Sequence, residues 1–368
     1  MLKKKIPHAV LLLGMAIAAM FASCEDNGGT PGPDTTTTPG PSAAPWPIET
    51  PAPTGPPQEE GTYVLTYLES DGSGTAEDRI RTMVIKLAWS SDNESIVFGN
   101  GSPAPWEEPP NRLGYGYFEF SPDGQNLAAS FTPDQSNADI VVWDVDEAGL
   151  LDAAGSRAAG EIFSNPTVIT GNTGGDFDPT WSPDGIRIAF GSWTDSPSNT
   201  EIYTIRADGT GLERLTDNTV GDNFPAWSPA GDKIAFVRNA DDGSGVYQDD
   251  IFVMHSDGSS QTRLTSASTH DSQPAWSPDG RKIVYTSGPG FYSAEVWVMD
   301  ADGSNKVQLT TAAGWARFPR WSPGGKMITF TAGGNILVMR EDGSQMKFLA
   351  ITDTSDWGGA WYPVEPTR

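Results

Sequence analysis

Short apolar runs bounded by turn residues recur along this chain, and the turns come in two kinds. The clearest stretch is 179–216. Pro179-Thr180-Trp181 reads as one strand, Ser182-Pro183-Asp184-Gly185 as a tight turn, Arg187 to Gly191 as a second strand and Glu201 to Arg206 as a third. Ala207-Asp208-Gly209 then leads into a fourth, Leu212 to Thr216. Proline sets φ at the second turn position and glycine tolerates the exit. The same grammar repeats over Lys233–Val237, Ile251–Met254 and Thr262–Thr265, and over Lys282–Thr286, Val296–Asp300 and Val307–Thr310. It returns over Met327–Thr331, Ile336–Arg340 and Lys347–Leu349, and a looser copy carries a long insertion after Trp143-Asp144.

An aromatic residue closes the first strand of each copy: Phe120, Trp181, Trp227, Trp276, Trp321 and, in a degenerate copy, Trp361. They are 61, 46, 49, 45 and 40 residues apart. A strand-rich repeat of about 40–50 residues predicts a propeller with about four strands per blade. The recurrent tryptophans are expected to fill the space between adjacent sheets. The expected fold is all-β, a six-bladed β-propeller of four-stranded antiparallel blades. Thr62 to Glu69, Arg81 to Leu87 and Glu94 to Gly99 supply three strands of one blade, and Gly359-Ala360-Trp361 at the other terminus supplies its inner strand. Such closure removes open sheet edges. A seven-blade alternative starts another blade at Trp89, only 31 residues before Phe120.

The Pro-x-Trp-Ser-Pro-Asp-Gly, Val-Met-Asp-Ala-Asp-Gly-Ser and Leu-Thr motifs, recurring in register over roughly 62–362, resemble the repeats of the TolB-like propeller family. The resemblance implies a six-bladed ring acting as a binding scaffold in the bacterial envelope. Similar repeats also precede peptidase domains and occur in oligogalacturonate lyases, so it implies no single activity.

Residues 1–23 read as an export signal, with Lys3, Lys4 and Lys5 before an apolar run from Ala9 to Ala22. That run is too short to span a bilayer, which takes about 20 residues. Phe21-Ala22-Ser23-Cys24 resembles a lipoprotein lipobox, which implies acylation of Cys24, the single cysteine. With no second cysteine there is no internal disulfide. Residues 24–60, rich in Pro, Thr and Gly, are expected to be a semi-extended tether reaching on the order of 110 Å. The propeller domain is expected over 61–368. Localisation follows as the cell envelope, lipid-anchored on a periplasmic or surface face.

Net charge is −25, and −28 without residues 1–23, which hold three lysines and no acid. Nucleic acid and anionic headgroups would be repelled, so membrane contact is expected through the lipid anchor alone. A monomer is expected, with an envelope protein or peptide as partner and a glycan as the alternative.

With the four strands of a blade lettered A to D in chain order, the A–B and C–D turns share one face, and the B–C and D–A connections share the other. Here the first set is stereotyped and the second varies: 131–138, 193–200, 238–250, 288–294 and 100–114. Variation in repeat folds gathers on the working face. The expected binding residues there are Trp106, Trp193, Tyr247, His270, Phe291, Tyr292, Trp315, Arg317 and Trp357. Five residues before the repeat aromatic stand Asp176, Asp222, Asp271 and Asp356. They read as carboxylates around the channel mouth, able to hold a cation or, instead, to accept backbone hydrogen bonds. Asp208, Asp257, Asp302 and Asp342 read as turn residues. No cofactor is expected and no catalytic residue is assigned. His255 and His270 fall on opposite faces, and no Gly-x-Ser-x-Gly elbow exists.

Overall fold

A computed structural model describes residues 61–70, 79–89, 96–99, 113–131, 137–146, 163–171, 174–193, 199–241, 247–266, 268–290, 293–311, 313, 315–350 and 355–362. By contacts the chain divides into residues 1–49 and 50–368, and every described residue belongs to the second unit. Five four-stranded antiparallel blades each use four consecutive strands. They comprise β4 (Leu113–Phe120), β5 (Asn126–Phe131), β6 (Asp139–Val145) and β7 (Phe163–Val168); β8 (Asp176–Trp181), β9 (Arg187–Ser192), β10 (Glu201–Arg206) and β11 (Glu213–Arg214); and β12 (Asp222–Trp227), β13 (Lys233–Asp241), β14 (Tyr247–His255) and β15 (Thr262–Arg263). The last two are β16 (His270–Trp276), β17 (Lys282–Gly288), β18 (Glu295–Asp300) and β19 (Val307–Gln308), then β20 (Arg317–Trp321), β21 (Met327–Ala332), β22 (Asn335–Arg340) and β23 (Lys347–Ala350).

The expectation of a six-bladed ring is therefore corrected to five blades, matching the five Ser-Pro copies of the motif. The remaining strands, β1 (Gly61–Ser70), β2 (Arg79–Trp89), β3 (Ile96–Gly99) and β24 (Ser355–Tyr362), form a composite sheet ordered β24-β1-β2-β3. It carries neither repeat turn: its first pairing joins β24 to β1, which lies nearly 300 residues earlier in the sequence, and no Asp-Gly links β2 to β3. Except for Trp361, its side chains lie outside the described residues. The seven-blade alternative also falls, because Trp89 ends β2 rather than opening a sheet.

The Ser-Pro-Asp-Gly turns are rigid for a reason the residues state. In three of them the serine hydroxyl (Ser121, Ser182, Ser277) donates to the turn aspartate two residues on at 2.6 Å. The same hydroxyl accepts the amide five residues on, from Asn126, Arg187 or Lys282. Where Ala230 replaces the aspartate, Ser228 donates instead to Asp232 at 2.9 Å. The prolines also join blades. A side chain added at Gly185, Gly231, Gly280 or Gly325 would meet the turn proline of the preceding blade at 3.3–3.8 Å.

Between blades the core is apolar. Trp181 packs with Ala128, Ile140 and Val142 of one blade and Ile188 and Phe190 of its own. Trp321 likewise shares a cluster with Val284 and Val296. Neighbouring inner strands touch, from β4 through β8, β12, β16 and β20 to β24, which lies against β4. Each inner strand from β8 to β20 has a bulge around a residue with positive φ, Asp178, Phe224, Gln273 or Phe318, at 51–57°. Each precedes a proline, which disfavours the right-handed helical region for it. Positive φ is uncommon outside glycine, so four in register mark a built feature.

Candidate binding face

Asp176 and Asp222 open their inner strands, Asp271 is the second residue of its own, and all three are at most 2% exposed. Local groups take up the carboxyls of Asp222 and Asp271. Arg238, opposite Asp222 in the β12–β13 register, donates from Nε and a terminal nitrogen to both Asp222 oxygens at 2.7 Å. Asn218 adds a third bond at 2.8 Å. The Arg238 guanidinium lies 5.2 and 4.9 Å from the ring centres of Phe236 and Phe252, so apolar stems and rings shield the pair. Asp271 accepts the Thr269 hydroxyl at 3.1 Å. Burial pushes its carboxyl above the ordinary range, while hydroxyls of Ser287, Thr265 and Thr269 pull the other way. The Asp176 backbone bridges blades: its amide donates to the Ala138 carbonyl, and its carbonyl accepts from Ser130. At the matching place before Trp321 stands Ala316. Among the described residues no group of three or more His, Cys, Asp or Glu is arranged to hold a metal ion.

Asp222→Asn is expected to keep the fold and cost about 1.5–3 kcal/mol, the worth of a buried hydrogen bond between charged groups. Chemical denaturation measures it. Pairing Asp222→Asn with Arg238→Met should cost less than the two single changes added, because each single change strands a buried partner.

A second set of acids went unread in the sequence. Glu201 and Glu295 open their third strands and Asp250 lies at the matching place in β14, and each accepts a hydroxyl from the threonine two residues past the fourth strand: Thr216 at 2.6 Å, Thr265 at 3.1 Å and Thr310 at 2.5 Å. Each hydroxyl in turn accepts the next backbone amide, from Ile202, Ile251 or Val296, at 2.9 Å. Arg214 and Arg263 reinforce two of these clasps through Glu201 and Asp250. The signal was present as an acid directly before the apolar run and a Leu-Thr or Leu-Thr-like ending. Their work is to fix where the D–A connections leave the sheet.

Among the expected binding aromatics, Trp193 is 37% exposed and packs on Phe177 with ring centres 5.1 Å apart and planes 60° apart. Half-buried Trp315 carries the Arg317 guanidinium 3.9 Å over its ring, a cation–π contact. Trp315 itself has φ 64°. His270 pairs with Asp249 of the preceding blade at 3.5 Å. Tyr247, Asp356 and Trp357 occupy strands, but their side chains lie outside the described residues, as do Cys24, Trp106, Phe291 and Tyr292 altogether. The expected loop over 238–250 is mostly strand, since β13 and β14 pair as far as Asp241 with Tyr247.

Charge also sits on the inner strands. Glu119 accepts the Trp181 amide at 2.8 Å. Burial raises the carboxyls of Glu119 and Asp178, that of Asp178 to about 7, while Arg320 acts against both shifts. His255 and His270 stand at opposite ends of the sheets: β14 begins beside His270 and runs to His255, about 20 Å away.

Residues 225–363 match the family model described as TolB beta propeller domain. No curated protein sequence matches the chain. Among solved structures, TolB from Acinetobacter baumannii is 19% identical with a TM-score of 0.60, covering 84% of this chain and 69% of that one. A TolB from Agrobacterium tumefaciens, described as such provisionally, is 20% identical with a TM-score of 0.54, over 81% and 90%. A chain from a nidogen/laminin complex is 12% identical with a TM-score of 0.59, over 82% and 98%. At these identities the likeness is one of fold, and the chain is similar to TolB-type propellers.

Proposed function

We propose that this chain is a non-catalytic, lipid-anchored propeller of the bacterial envelope whose variable face binds a protein or peptide. The observation that carries the reading is the match of residues 225–363 to the TolB propeller model. It is supported by the export-signal pattern ending at Cys24 and by aromatic side chains on the variable face, Trp193 among them. Aromatic anchors dominate protein interfaces, and Trp193 with half-buried Trp315 supplies two. A net charge of −25 favours a basic partner surface and disfavours nucleic acid. The glycan alternative is less favoured, because the Phe177 and Trp193 planes are 60° apart and offer no flat platform for a sugar ring.

Cross-linking in intact cells, followed by identification of the captured chain, tests the reading beside a glycan array. The triple variant Trp193→Ala, Tyr292→Ala, Trp315→Ala should bind the captured protein about tenfold more weakly or worse. Unchanged affinity removes the variable face from the proposal. Glycan binding without protein capture replaces the partner class. Cys24→Ser should release the chain from the membrane fraction; retention there defeats the anchor.

A further inference from the structure

The β13–β14 hairpin stands out from the other blades. In the β9–β10 pair the ladder ends at Ser192 opposite Glu201. The matching step here is Arg238 opposite Asp250, and the ladder then runs three steps further, to Asp241 opposite Tyr247. That projects about 10 Å beyond the sheet on the variable face. Among the described residues, three contacts hold this extension. The Asn239 amide donates to the Gly221 carbonyl at 2.9 Å, and the Asn239 side chain donates to Asp249 at 2.9 Å. From the next blade, His270 at the start of β16 meets the other Asp249 oxygen at 3.5 Å.

We infer that the β13–β14 extension is a pH-dependent arm, held to the neighbouring blade by protonated His270 on Asp249 and loosened when that imidazole becomes neutral. The charges facing the imidazole favour this. Asp249 and Asp250 come from β14 and Asp271 from its own strand, all acidic. The nearby cations are engaged elsewhere: Arg263 bonds Asp250 and Arg238 bonds Asp222, while Lys306 acts on Asp271. Tyr285 lies near Asp271 and stays neutral, its hydroxyl pushed up by burial. Hydrogen bonding to Asp249 raises the His270 imidazole above its ordinary value, burial opposes this, and the other acids add to it. A raised folded-state value fixes the sign. The clasp is fully present below the unfolded imidazole value of about 6.5 and is lost as pH rises through the folded value. His270 is 36% exposed in its side chain, so the clasp acts on the arm rather than on global stability.

Amide hydrogen exchange of the full chain, at about pH 5.5 and about pH 8 and corrected for intrinsic rates, tests this without any partner. Amides 239–241 and 247–249 are expected to be about two- to fivefold better protected at the lower pH. The difference should vanish in His270→Gln and in Asp249→Asn, and persist in His255→Gln. Two results overturn the inference. One is a wild-type arm whose protection ignores pH, or whose response survives His270→Gln. The other is a parallel change in the core amides of β9 and β21, which would place the effect on global stability.

Discussion

Removal of residues 353–368 is expected to lower the melting temperature by about 10 °C or more and to make the chain associate. The deletion takes away β24, an eight-residue strand paired with β1 from Val64 opposite Tyr362 to Ser70 opposite Ser355. It also takes away the strand lying between β4 on one side and β20, β21 and β22 on the other. What remains is a three-stranded sheet whose β1 edge is bare along its length, and an unpaired edge is a template for another chain. The loss exceeds one strand's hydrogen bonds, because the inner strands of the first and last blades would no longer have β24 between them. Differential scanning calorimetry with light scattering measures both effects. A truncation limited to residues 363–368 leaves β24 whole and should melt as the intact chain does. A melting curve unchanged by the longer deletion would mean that β24 contributes little to holding the ring.

The repeat itself was legible because its chemistry is local. A serine, a proline and a glycine within five residues close a turn whatever lies across from it, and the hydroxyl-to-aspartate bonds of Ser121, Ser182 and Ser277 confirm that logic. The blade count was less legible. Trp361 sits at the right spacing, yet it is followed by Tyr362-Pro363 rather than Ser-Pro, and its strand pairs with the chain's beginning instead of a following hairpin. The direction of a side chain at a strand start was not legible at all. Asp222 is held by Arg238, sixteen residues later, and only the register that places them opposite each other joins the two. His270 and Asp249 belong to different blades, so no motif contains both. The length of the β13–β14 extension was hidden by Asn239-Ala240-Asp241-Asp242-Gly243, a polar run that reads as a loop. Cross-strand pairing, not residue preference, carries β13 and β14 out as far as Asp241 and Tyr247.

Gly258→Ala is expected to destabilise the protein by about 3–4 kcal/mol, far more than a glycine-to-alanine change usually does. Two costs coincide there. The backbone sits at φ 82°, where a side chain costs about 1–2 kcal/mol. A Cβ would also lie 2.5 Å from the carbonyl oxygen of Leu215, a residue of the preceding blade. That oxygen is backbone, so the approach can be relieved only by moving one blade against the next, with an overpacking cost of about 1–3 kcal/mol. The same contact recurs at Gly343 with Leu309 at 2.8 Å and at Gly303 with Leu264 at 3.0 Å. These three Asp-Gly turns therefore do more than reverse the chain: each lets its blade's third-to-fourth turn sit on the residue just after the preceding blade's last strand. Gly171→Ala separates the two costs, since Gly171 has φ 53° and nothing within 4 Å of the added carbon. It should lose only about 1–2 kcal/mol. Urea denaturation of both variants measures the difference, and equal losses would show that the blade-to-blade approach at Leu215 yields without cost.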